Sequence, residues 1–380
     1  MRNSLRCWAE VDLDALRGNL AWIRHQVGPH VKIMTVVKAD AYGHGLKQIA
    51  ALLMQSGTDV FGVANLTEAR AIHSVGRGWP VLMLGACLPD EVELTVAEGV
   101  MPTISTLREA RRFSRVATQF NRPTRVHIKV DTGMGRLGVA PAEARKLICQ
   151  VNRLPGLKLE GLYTHYSSVE DDTEFSRAQR KRFEQVLSEL AAEGIRVPLI
   201  HANNSGALLH EPRTRFDLVR PGLLVYGIVP PGRRRVDSTL ANHLRRALSF
   251  KCRVSLVKEI CRGTSLSYGR TFVARGNMRV ATLTAGYGDG YSREAGNRSK
   301  VLIGRQRCPV LGRVTMDQMM VDVSRVQNVR AGDEAVLIGR QGHDEITAGE
   351  VAAWCGTVPW EILTAISYRV PRIYRGSQAA

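Results

Sequence analysis

The chain has 380 residues, 44% hydrophobic and 23% charged, enough for a sizeable core and two domains, or three. No apolar run follows MRNSLRCWAEVDLDAL and none elsewhere reaches membrane-spanning length, while the seven scattered cysteines form no CxxC pair or Cys/His cluster; no signal peptide, membrane span, disulfide framework or zinc site is expected, and a soluble protein of a reducing, cytoplasmic setting is. The net charge of +18, with arginine clusters at 111–112, 233–235 and 245–246, would suit an anionic partner, but no helix-turn-helix, RNA-binding signature or zinc finger accompanies it, so no nucleic-acid partner is expected.

From Trp8 to about Phe250 strand-like and helix-like text alternates. The candidate strands are 31–37, 60–64, 80–84, 101–105, 126–130, 159–164, 198–201 and 217–219. Between them lie segments with apolar spacing of three and four, such as APAEARKLICQVNRL and SRAQRKRFEQVLSELAAEG. Strict alternation implies a parallel sheet, and eight repeats predict an N-terminal (β/α)8 barrel of the TIM type, over residues 1–245. After the join near PPGRRRVDST the pattern changes to short strand-like runs: 249–260, 279–285, 309–311, 319–323 and 334–338. These predict a C-terminal mostly β domain over 246–380, closed by a short helix at 348–355 and a basic tail.

The chemistry begins at VVKADAYGHG, residues 36–45, where a buried strand ends in Lys38 and Tyr42-Gly43-His44-Gly45 turns the chain into a helix. A lysine there either snorkels to solvent or is put to use. Held in a desolvated site its amine has a lowered pKa and can condense with an aldehyde. Next comes HIKVDTGMGRLGV, 127–139, a glycine-rich loop that brings Arg136 towards a barrel mouth; it lacks the Lys-Ser/Thr ending of a P-loop. Strand six ends in LYTHY with His165, strand seven in HANNSG with His201 and Ser205, and strand eight in DLVRPGL with Arg220, Gly222 and Leu223. Further on stand SYGRTF with Tyr268, AGYGDG with Tyr287, and GRVTMD with Met316 and Asp317.

Together these motifs, in this order from AEVDLDAL at 9–16 to RVPR at 369–372, resemble the alanine racemase family. The resemblance implies a two-base amino-acid racemase that interconverts L- and D-alanine with pyridoxal 5′-phosphate (PLP) carried on Lys38. It implies that Tyr42, Ser205, Gly222 and Leu223 bind the cofactor phosphate, that His165 lies near the pyridine ring, and that Arg220, supported by His201, faces the ring nitrogen. A guanidinium has no acceptor for a proton, so Arg220 argues for exchange at Cα over decarboxylation. Arg136 and the Met316 backbone N–H would meet the substrate carboxylate, with Lys129, carbamylated in many members, holding Arg136. Tyr268 would be the second base, and Tyr287 and Asp317 belong to loops lining the entrance. All four β-domain residues would come from the partner subunit of a head-to-tail homodimer.

Two positions depart from the family pattern. Trp360 stands where a tyrosine is usual, and Glu170 near a usual aspartate. Both bear on substrate choice, and a serine or broader-spectrum racemase is the alternative. A non-catalytic PLP-binding barrel would lack the domain carrying Tyr268. A related decarboxylase would want a carboxylate in place of Arg220 and a catalytic cysteine in the second domain.

Overall fold

The computed structural model describes residues 5–211 and 216–376. They divide into two compact units. One holds Ala15–Ala41 with Leu46–Arg246; the other joins the N-terminal strand and Tyr42–Gly45 to the chain from Ala247 onward.

The first unit is a closed barrel of eight parallel strands: Lys32–Val36, Val60–Val63, Val81–Met83, Met101–Ile104, Thr124–Lys129, Leu157–Tyr163, Leu199–His201 and Leu218–Val219. Closure comes from the pairs Lys32↔Leu218 and Ile33↔Val219. The expected strands are all present, with ends shifted by one or two residues. Strand side chains alternate between two faces, and here each face has its own core. Met34, Val60, Leu82, Met101, Leu199 and Leu218, from six strands, meet in one buried cluster, which only the barrel interior allows. Outward residues such as Ile104, Val126, Ile128 and Leu162 pack instead against Phe113, Ile148 and Phe183 of the surrounding helices. Those helices start where sequence chemistry dictates. Thr106 and Glu109 form a reciprocal capping box on helix Leu107–Gln119, and the Asp172 carboxylate accepts the Phe175 N–H on helix Thr173–Ala192.

The second unit is a nine-stranded sheet. Its organiser is the long strand Leu248–Ile260, which changes partner along its length. Residues 250–253 pair with Glu334–Gln341, and beyond an irregularity at Val254–Leu256 the strand runs beside Met278–Leu283. Cys7–Asp12 pairs antiparallel with the same strand, so this N-terminal segment belongs to the β unit. The helix Ala348–Cys355 forms as expected, with Thr347 and Glu350 as its capping box. The basic tail is more ordered than its composition suggests. Arg372–Arg375 is a strand parallel to Cys7–Asp12, and the Arg375 guanidinium pairs with Glu10. The last four residues of that tail lie outside the described residues. No helix among the described residues is long and apolar enough to cross a membrane.

Candidate active site

The apolar layer inside the barrel fixes which residues point inward further along each strand. Two steps beyond Leu199 and Leu218 stand His201 and Arg220, and four beyond Met34 stands Lys38. On strand five, Val126 and Ile128 face the helices, so His127 and Lys129 face in. The interior therefore turns from hydrocarbon to nitrogen-rich chemistry towards the C-terminal ends of the strands, the end at which barrel enzymes carry their sites.

Arg220 is the centre of this layer. It is 3% exposed, and its partners are all neutral acceptors. Nη1 donates to His201 Nδ1 at 2.7 Å; Nη2 donates to the carbonyls of Thr164 and Ala202, both at 2.8 Å, and faces His165 Nδ1 at 3.3 Å. Its guanidinium also lies over the Tyr163 ring, 5.2 Å from the centroid. Burial pulls its pKa down to about 10, which still leaves it charged at neutrality. No carboxylate is among these partners. A buried charge without a counter-ion costs several kcal/mol, roughly, even after relaxation, so its retention points to use rather than stability.

The other cations are pushed towards neutrality. Burial, then the charge of Arg136, lowers the Lys38 pKa, against a smaller opposing pull from Glu68. Lys129, 2% exposed, is brought to about 8 by burial and then by Arg136 and Arg220. Its ammonium nitrogen sits 5.8 Å from the Tyr163 ring centre. Burial and then Arg220 drive His165 and His201 well below the usual histidine value, so both rings are neutral. Arg136 lies at the open end, on a loop folded around Asp131, whose Oδ1 accepts the N–H groups of Gly133, Met134 and Gly135.

Lys38 opens an unusual turn. Ala39, Asp40, Ala41 and Tyr42 have φ of 52°, 54°, 53° and 53°, and Gly43 follows at 79°. This is a left-handed helical turn made mostly of residues that resist it, where a simple turn through the glycines was expected. Left-handed φ costs an L-residue roughly 1–2 kcal/mol. The turn is held by its surroundings: the Ala39 N–H donates to Glu68 Oε1 at 2.7 Å, the Ala41 N–H to the Val37 carbonyl at 2.9 Å, and the Leu46 N–H to Asp40 Oδ1 at 2.7 Å. Gly43 has no alternative, since a Cβ there would lie 2.2 Å from the Leu363 carbonyl oxygen.

At the ends of strands seven and eight, Ser205, Gly222 and Leu223 are buried together. The N–H groups of Gly222 and Leu224 both donate to the Ser205 hydroxyl, at 2.9 and 3.4 Å. Between His201 and Ser205 stands Asn203, fully buried, with neither amide nitrogen nor oxygen partnered by a described residue.

The β unit carries the remaining residues, on three loops tied to one another. Tyr268 is 72% exposed and sits between Ser267 and Gly269, at φ of 63° and 73°. The Ser267 hydroxyl donates to the Arg313 carbonyl at 2.6 Å, pinning this loop to the one that bears Met316. The Tyr287 N–H donates to the Thr315 carbonyl and the Gly288 N–H to that of Met316. Asp317 pairs with Arg369 at 2.7 Å, and Arg369 also reaches Asp289 at 3.5 Å. Tyr42 belongs to this unit too, on the segment that Arg372 holds through the Gly43 carbonyl. Trp360 lies on the short helix Pro359–Thr364 and is partly exposed. Glu170 belongs to the barrel unit, its carboxyl pressed against Gly206.

Tyr163, His127 and Asn203 were not singled out by the sequence. Tyr163 stacks on His201 with centroids 4.6 Å apart and rings 7° from parallel. The one available signal was alternation, which puts Tyr163 on the same face as His165.

Comparison with known proteins gives the family. Residues 11–230 match the family model "Alanine racemase, N-terminal domain", and 247–374 match "Alanine racemase, C-terminal domain". The alanine racemase of Halothermothrix orenii is 41% identical over 371 residues, covering 97% of this chain and 96% of the relative. That of Carboxydothermus hydrogenoformans is 43% identical over 368 residues, covering 97% and 99%. Among solved structures, the alanine racemase of Clostridium difficile 630 superposes with a TM-score of 0.92 at 32% identity, covering 98% of this chain and 96% of that one. Full-length similarity at this identity, over a barrel with a lysine at the end of its first strand, places the protein: it is an isomerase of the alanine racemase family.

Proposed function

We propose that this racemase interconverts L- and D-alanine by two bases, Lys38 on one face of the substrate Cα and Tyr268 of a second copy of the chain on the other, with PLP held on Lys38. The observation that carries this reading is the Lys38 amine, driven towards neutrality by burial and Arg136 at the end of a barrel strand. A neutral amine is what both attachment to an aldehyde and proton abstraction require.

The residues present fit the cofactor. The Ser205 hydroxyl accepts the Gly222 and Leu224 N–H groups and keeps its own O–H to donate to a phosphate at the ends of strands seven and eight, beside Leu223. The unpartnered amide of Asn203 supplies further donors and acceptors. Arg220 offers the ring nitrogen N–H donors and no group able to accept a proton from it. Bound there, PLP supplies the electron-withdrawing ring that acidifies the substrate Cα–H. Arg136 orients the substrate carboxylate, and Lys129 stands behind it. Lys38 then takes or returns the Cα proton from one side while the Tyr268 phenol serves the other, so either enantiomer is substrate and product in turn. The Met316 N–H, Tyr287 and Asp317 shape the entrance from the second copy. The free cysteines support a cytoplasmic location.

Two measurements test this. Borohydride treatment followed by peptide mass spectrometry should find a phosphopyridoxyl group on Lys38; a label on another lysine would refute the attachment. Incubation with single enantiomers and chiral analysis should give racemic alanine faster than racemic serine. A preference for serine would reassign the substrate.

A further inference from the structure

The buried side of Arg220 leads to a residue that plays no part in the reading above. Arg220 carries only N–H donors, so His201 Nδ1, 2.7 Å away, must be an acceptor. The His201 proton is then on Nε2. That nitrogen lies 2.9 Å from His127 Nδ1, which must accept in its turn. The His127 proton is thereby forced onto Nε2, and this atom is buried without a partner among the described residues. Three side chains thus form a relay with one permitted pattern of protons. Its far end leaves a buried N–H unsatisfied.

The barrel makes room for this contact. His127 lies on strand five and His201 on strand seven, and the bond between them passes over strand six at Gly161, the register partner of His127. A Cβ on Gly161 would lie 2.1 Å from His127 Nδ1, so any other residue would displace the ring from its bond. The rings meet edge-on at 66°, and one face of His201 is closed by the parallel ring of Tyr163. His201 therefore has no freedom to turn over. A glycine and an unsatisfied donor are both unfavourable for packing alone, and the two together serve one hydrogen bond.

We propose that His127 is a positioning residue for the racemase: by accepting the hydrogen bond from the His201 Nε2–H, it fixes His201 as the acceptor that holds Arg220 at the barrel mouth. The role rests on the proposed work of Arg220, but the relay itself can be read without any reaction. In holoenzyme labelled with 15N-histidine, the rings of 127 and 201 should both show a protonated Nε2 and an unprotonated Nδ1 across neutral and alkaline pH. A proton on His201 Nδ1 would overturn the proposal whether or not any variant folds. The second arm compares His127→Leu with His127→Asn, whose Oδ1 can accept near the place of Nδ1. The leucine variant should lose about tenfold or more in kcat with little change in KM, and should shift the His201 resonances. The asparagine variant should recover most of the rate and the His201 pattern. Equal loss in both folded variants, or an unaltered kcat and His201 spectrum in His127→Leu, would reduce His127 to core packing. Borohydride labelling of Lys38 in each variant separates failure of the relay from failure of the cofactor reading.

Discussion

Burial decides the charge of each group around the barrel mouth, and the histidines convert that into a pH dependence. His127 is lowered from 6.5 to about 3, mainly by burial and then by Arg125 and Arg220, and His201 falls well below 6.5 for the same first reason. Unfolded, both rings would titrate near 6.5, so below that pH the unfolded chain binds protons that the folded chain refuses. Their contribution to stability is complete above about pH 6.5 and is lost progressively as pH falls, for His127 down to about 3. With His165, lowered for the same first reason, three such rings steepen the loss by up to about 4 kcal/mol per pH unit. The urea midpoint should therefore fall as pH drops from about 7 towards 5; a flat midpoint across that range would contradict the buried neutral rings. At this scale the sequence was partly legible. Lys38, Arg136, His165 and Arg220 were read from motifs; His127, Tyr163 and Asn203 stand in the same motifs, but their part depends on what other strands bring beside them, and only alternation hinted at Tyr163.

The elements were most legible where one physical cause dominates. The eight barrel strands are short apolar runs between amphipathic helices, and their existence followed from period alone. Cys7–Asp12 and Arg372–Arg375 were illegible because each is a short strand held by pairing with segments far away in the chain. The left-handed turn after Lys38 was hidden for a related reason: Ala39, Asp40, Ala41 and Tyr42 have no local preference for it. Surroundings impose that conformation, which makes the turn a store of strain beside the lysine. Ala39→Gly should relieve part of it and raise stability by about 1 kcal/mol, against the usual destabilising effect of glycine in a helix. Denaturant unfolding of the two proteins checks this, and a loss of stability on substitution would show that the turn is not strained at that position. Because the turn fixes where Lys38 emerges, the same variant should racemise alanine more slowly.

At the scale of the whole molecule, the candidate residues fall into two groups with different surroundings. Lys38, Lys129, Arg136, His165 and Arg220 belong to the barrel unit, while Tyr268, Tyr287, Met316 and Asp317 stand on the loops of the β unit. Tyr268 is 72% exposed within a single chain, an unsuitable setting for a base that must work beside a water-excluding cofactor site. A second chain completes the site in the proposed account, and the two-fold symmetry of a dimer makes that countable. Lys38→Ala and Tyr268→Phe homodimers should each be nearly inactive. Unfolded, mixed equally and refolded, about half the dimers should contain one chain of each kind. In such a dimer one site receives both defects and the other neither, so the mixture should recover roughly a quarter of wild-type activity. If Lys38 and Tyr268 serve the same site from the same chain, every site keeps one defect, and verified mixed dimers with no recovered activity would contradict the shared two-base site.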